Sequence, residues 1–172
     1  AVLVQAGHAM GPVQRALVAA GVPVRVAGDE VPLRDEPAVA AVLAAAEVVA
    51  RPSRLDEARA EELLLGPLVG LDPSDLRRLG RLLRQAEREA GADAGIRPRP
   101  AASLVAHAVS DPRALLEIDE TRAREGVAAV RRLAAMLESA GDVAQEGGSP
   151  HEVLATLLEG TRWPQRLRAA AL

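Results

Sequence analysis

At 172 residues and 17.9 kDa, with 49% apolar and 26% charged residues, the chain has the size and composition of one globular domain, which excludes wholesale disorder. Zero cysteines exclude a disulfide framework, a thiolate zinc site and a cysteine nucleophile. A net charge of −3 removes the global basic signature of a nucleic-acid binder and leaves room only for a local patch.

The chain opens on the apolar run Ala1-Val-Leu-Val4, passes Gly7 and Gly11-Pro12, and then has a helical segment from Val13 to Ala20 stopped by Gly21. Residues 22–27, Val-Pro-Val-Arg-Val-Ala, alternate like a strand. This order predicts a β-α-β unit with parallel strands and a right-handed crossover. Two parallel strands do not hold as a sheet alone, and nothing later reads as a third. The pattern therefore points to a fragment of a larger protein that supplies the rest of the sheet.

From Glu36 onward the pattern is helical, so the fold class expected is mainly α: a β-α-β piece over residues 1–35 and an all-helical part over 36–172. Pro37 starts a helix running to Ala50, stopped by Arg51-Pro52. Leu55 to Leu65 forms the next, followed by the loop Gly66 to Leu71. Asp72-Pro73-Ser74-Asp75 is an N-cap with proline at the first helical position, opening a long helix to Ala90. After a linker from Gly91 to Pro100, helices are predicted over Ala101–Val109, from Pro112 through Leu116, and over Glu120–Ala140 with Val127, Val130, Ala134 and Leu137 on one face. Gly141 to Gly148 reads as a loop, Ser149-Pro-His-Glu152 as a capping box for a helix to Glu159, and a last helix starts near Trp163. The longest apolar run, Ala38 to Ala46, is too short to span a bilayer, and no signal-peptide pattern opens the chain. A cytoplasmic protein with no membrane partner is expected.

Catalytic signals are nearly absent. The sequence contains no lysine, so a Walker-type phosphate loop cannot be completed within it. His8, His107 and His151 stand far apart, without a second ligand at helical spacing. Ser53, Ser74, Ser103, Ser110, Ser139 and Ser149 lack the context of a nucleophile elbow. The reading assigns no catalytic residue, no metal and no cofactor to this piece. Trp163 is the single aromatic residue, which rules out base stacking as a main activity.

One constellation stands out. Arg77, Arg81, Arg84 and Arg88 follow one another by four, three and four residues. At about 100° per residue this confines them to a stripe roughly 60° wide, with Arg78 at its flank. Leu76, Leu79, Leu83 and Ala86 fall opposite. A row of guanidinium forks matches phosphate oxygens and marks a DNA-backbone reader. The preceding loop adds Gly70 and Leu71 as backbone-amide donors to a phosphate, although Asp72 at the helix N-terminus repels one. Against this stands a solvated face partly offset by Glu87 and Glu89, on a non-enzymatic helical module that binds a protein partner. A small-ligand enzyme is a third reading, with no convergence of titratable groups to carry it.

Residues 1–28 are similar, without a gap, to a segment of UvrD/PcrA/Rep-type superfamily 1A DNA helicases, with Leu3, Ala16, Leu17, Gly21, Pro23 and Gly28 on matching positions. Glu36-Pro-Ala-Val39 and Gly66-Pro-Leu-Val-Gly-Leu-Asp72 occupy, in order, the places of the family's next helix and its glycine loop. The stretch from Val153 to Leu167 resembles its late helical segment. The alanine- and arginine-rich style also resembles the actinobacterial AdnA/AdnB-type helicase–nuclease branch. The resemblance implies that residues 1–35 belong to a RecA-like motor domain, 2A, and residues 36–172 to its inserted 2B subdomain. It further implies a parent that is an ATP-dependent 3'-to-5' helicase in DNA repair, using ATP and Mg, with this region contacting duplex or junction DNA and modulating unwinding. Implied partners are DNA, the rest of the motor domains and a second helicase–nuclease subunit. The fragment itself lacks the ATPase motifs. Val4, Gln5 and Gly11 depart from the family's Tyr and two Arg, and Asp72 replaces the last glycine of its loop.

Overall fold

The computed structural model describes residues 2, 9–24, 32–91 and 97–161. Among these residues the chain is helical, with seven α-helices and four short 3-10 turns and no strand. Backbone contacts divide it into two compact units, Ala1–Ala40 and Ala41–Leu172.

The first unit contains α1 (Met10–Ala19), none of whose residues is buried. Its end is closed by a double turn in which the Gly21 amide donates to Val18 O and the Val22 amide to Leu17 O, both at 2.9 Å. The helix of the expected β-α-β unit is thus present, beginning three residues earlier than predicted. Its two strands are not shown. Most of residues 1–4 and 22–27 lie outside the described residues, and Val2 and Val22–Val24, which are described, form no ladder. A parallel strand exists only by hydrogen bonding to a neighbour, so alternation alone does not create one.

Helix α2 (Pro37–Ala50) crosses the boundary between the units. The second unit holds α3 (Glu57–Leu65), α4 (Pro73–Ala90), α5 (Ala101–Ser110), α6 (Arg124–Gln145) and α7 (Pro150–Glu159). Its core joins Leu63 and Leu64 of α3, Leu79 of α4, Ala108 of α5, Val130 and Leu133 of α6 and Leu157 of α7, all at most 1% exposed. Helix α5 packs on α3, α4 and α6, which requires an apolar surface on several sides; Leu104, Val105, Ala106, Ala108 and Val109 supply it.

Local signals set most helix starts. Asp56 accepts from the Arg59 amide at 2.8 Å and Asp72 from the Ser74 amide at 2.6 Å. The capping box at α7 forms as read from the sequence: Ser149 N donates to Glu152 Oε2 at 2.7 Å, and Glu152 N to Ser149 Oγ at 3.3 Å. Two predicted boundaries are corrected. Residues Pro112–Glu117 and Glu120–Arg122 are 3-10 turns, each opened by an aspartate, rather than α-helix. Helix α6 continues through Gly141 to Gln145 instead of stopping at Ala140. A helical glycine costs only about 1 kcal/mol, which the packing of α6 on α7 outweighs. The predicted helix from Trp163 lies outside the described residues.

Helix α4 is seated by two close approaches. A Cβ on Gly80 would meet the Ala101 Cβ of α5 at 3.1 Å, and one on Gly126 of α6 would meet the Leu79 Cβ at 3.0 Å. With its inner face held against both neighbours, the orientation of its outer face is fixed.

Candidate nucleic-acid interface

The amphipathic pattern of α4 resolves as its spacing requires. Leu79, Gly80, Leu82 and Leu83 are buried, Leu76 and Ala86 are half-buried, and Arg77, Arg78, Arg81, Arg84 and Arg88 are all exposed. The row from Arg77 to Arg88 extends about 16 Å along the helix axis. Arg77, Arg81, Arg84 and Arg88 form no ion pair with any acid among the described residues, and Arg78 reaches Asp75 at 3.6 Å.

The two carboxylates on α4 that could offset this charge, Glu87 and Glu89, are engaged elsewhere. Glu87 accepts from both the side chain and the amide of Arg99, at the start of the segment leading into α5. Desolvation pushes the Glu87 carboxyl up, but the Arg99 hydrogen bonds, with the charges of Arg99 and His107, outweigh it and leave the group below its ordinary value. Glu89 accepts from Gln85 Nε2 at 2.8 Å. Neither acid lies within ion-pair distance of the row.

Gly70 and Leu71 do not join the arginines as donors. The loop turns at Gly70, whose φ of 71° suits glycine, and folds back on the end of α3. The Gly70 amide donates to Gly66 O at 2.8 Å and the Leu71 amide to Leu64 O at 2.9 Å, while the Leu71 side chain is buried. Both amides are spent on closing the loop over the end of α3. At the α4 N-terminus Asp72 already occupies the Ser74 amide. Hydrogen bonds from the Ser74 side chain and amide, aided by the Arg77 charge, hold its carboxyl below its ordinary value, so this end is already filled by an anion.

Two hollows border the row. One, of about 350 Å³, lies between α3, α4 and α5; Leu76, Gly80, Ala101 and Val105 line it together with Glu57 and Glu61 of α3 and Arg77 and Arg81 of α4. The other, of about 400 Å³, is lined by Arg78, Arg81, Leu82, Gln85 and Arg122. Arg122, in the turn Glu120–Arg122, was invisible to spacing arguments, because more than forty residues of chain separate it from Arg81 and only the packing of α6 against α4 brings it there.

Of the histidines, His107 and His151 are exposed and His8 lies outside the described residues. The described residues contain no group of three His, Asp or Glu able to hold a metal ion. The sequence has no lysine, and among the described residues the glycine turns ahead of α4 and α7 have the amides of Gly70, Leu71, Gly147 and Gly148 bonded to backbone carbonyls. No described helix is long and apolar enough to cross a membrane. No protein-family model matches the chain, and no curated protein matches it.

Proposed function

We propose that the helical unit is a DNA-contacting arm, the 2B-like region of a UvrD-type helicase whose motor lies in other parts of the parent, and that the outer face of α4 carries the contact. The observation that supports it is the row of four exposed arginines that form no ion pair among the described residues. Such a face reads the phosphate backbone without regard to sequence. The β-α-β assignment of residues 1–35 to a RecA-like motor domain belongs to this proposal and rests on the sequence resemblance.

The test is a salt-titrated binding assay of the chain on a labelled duplex with a single-stranded tail. Affinity falling by orders of magnitude between about 50 and 200 mM salt is the expected result. Absence of binding at the lowest salt overturns the DNA role and favours the protein-interaction reading, in which apolar docking responds little to salt. The same preparation is expected to hydrolyse no ATP, with or without DNA; DNA-stimulated turnover would overturn the assignment of the motor to other parts of the parent.

A further inference from the structure

The hollow beside the row differs from the row itself in being concave and built from two elements. Arg78 and Arg81 come from α4 and Arg122 from the turn Glu120–Arg122, with Gln85 and Leu82 completing the lining. Among the described residues no carboxylate lines it. Asp75 touches Arg78 through one exposed contact of 3.6 Å, an arrangement that binds weakly. Of the two acids just before Arg122 in the chain, Glu120 is bonded to Arg131, and Asp119 is held by the Thr121 hydroxyl at 2.6 Å and the Thr121 amide at 3.0 Å, with Arg122 acting on Asp119 only through its charge. Three permanent cations thus converge on one concavity, each keeping guanidinium donors free for a ligand. An anion between them relieves the mutual repulsion of three like charges, and the planar forks select one that offers several oxygens at once.

We propose that this hollow is a phosphate seat, in which Arg81 and Arg122 grip a phosphoryl group from two elements, Arg78 closes the flank and the Gln85 amide adds a neutral donor. When the phosphoryl belongs to a DNA strand lying along α4, the seat sets the register of that strand, and this part rests on the DNA-contacting reading. A free phosphate has the same chemistry without that dependence.

Two measurements separate the sources. Fluorescence polarisation on a duplex of about 20 base pairs compares the wild type with Arg122→Ala and with Arg113→Ala, a control on an exposed turn; the expected result is a loss of about 5- to 10-fold and of about one unit of salt slope for Arg122→Ala alone. In parallel, inorganic phosphate is titrated while the arginine Nε resonances are followed by NMR, and those of Arg78, Arg81 and Arg122 are expected to move together in the wild type and to stay still in Arg122→Ala. Duplex binding that is identical in affinity and slope in wild type and Arg122→Ala overturns the seat and leaves the DNA reading standing. A wild type that ignores duplex but shifts those three resonances with phosphate supports the seat and overturns the DNA reading. Silence in both measurements overturns both. Arg122 is exposed, so circular-dichroism melts of the variants are expected to coincide with the wild type.

Discussion

The arginine row on the outer face of α4 and three arginines elsewhere in the same helical unit, Arg59, Arg99 and Arg131, have opposite fates. Arg59 donates to Glu62 at 2.8 Å and to Glu47 at 3.4 Å, Arg99 to Glu87, and Arg131 through both terminal nitrogens to Glu120. Each of these forks reaches a carboxylate eleven or twelve residues away, across a turn between elements, and Arg59 also holds Glu62 within its own helix. Arg77, Arg81, Arg84 and Arg88 of α4 form no ion pair among the described residues. The same residue type is thus a structural strut in one place and a free cation in another, and the neighbouring element decides which. The contrast also explains why Glu87, three residues from Arg84 in sequence, does not neutralise the row: Arg99 already holds it.

The largest effect should come from turning α4 inside out. Leu79→Ala removes a fully buried side chain at the contact with α6 and is expected to cost about 2–5 kcal/mol in chemical denaturation, without altering the salt slope of the protein that remains folded. Next comes the outer face. Arg77→Ala combined with Arg81→Ala is expected to weaken duplex binding about 10- to 100-fold at low salt and to lower the slope by about two, uniformly across DNA sequences, while the melting curve stays within about 0.5 kcal/mol of wild type. An unchanged affinity at low salt would remove α4 from the interface.

A strut should behave in the reverse way. Arg59→Ala is expected to lower stability by about 0.2–1 kcal/mol, because its partners are largely exposed, and to leave duplex binding as it was. A DNA defect in this variant would erase the distinction between the two sets of arginines. The smallest effect is acid sensitivity. Hydrogen bonds to Ser74, Thr121 and Ser149 hold Asp72, Asp119 and Glu152 below their ordinary values of 3.8, 3.8 and 4.5, and Arg99 does the same for Glu87 against its desolvation. A carboxyl lowered in the folded state contributes stability above its unfolded value and loses it as pH falls through the folded one. Melting temperature is therefore expected to hold down to about pH 4.5 and to decline below it, less steeply in Glu87→Gln. The arginines keep their charge throughout, so binding at low pH should end with unfolding rather than before it.

How far the sequence could be read depended on the range of the interaction. Caps at Asp72 and Ser149 and the two faces of α4 depend on residues within one or two helical turns, and they appear where spacing placed them. The buried set was legible in outline: Val127, Val130 and Ala134 are buried and Leu137 half-buried, as the 3.6-residue period requires, but Leu133 and Met136 widen that stripe because α6 is covered on more than one side. Misreadings arose where a local signal competed with packing. Gly141 carries a loop signature yet sits within a helix, and the amides of Gly70 and Leu71 carry a phosphate-loop signature yet are consumed by the end of α3.

By itself, the sequence determined the helical character of the described residues after residue 36, the register of the arginine row and the absence of cysteine and lysine chemistry, since all of these follow from composition and from periodicities of a few residues. Only the tertiary structure decided which cations stay unpaired and that Arg122 meets Arg78 and Arg81 at one hollow. A charge is neutralised by whatever lies within a few ångströms in space, and for residues eleven to more than forty positions apart that distance is set by how the helices pack.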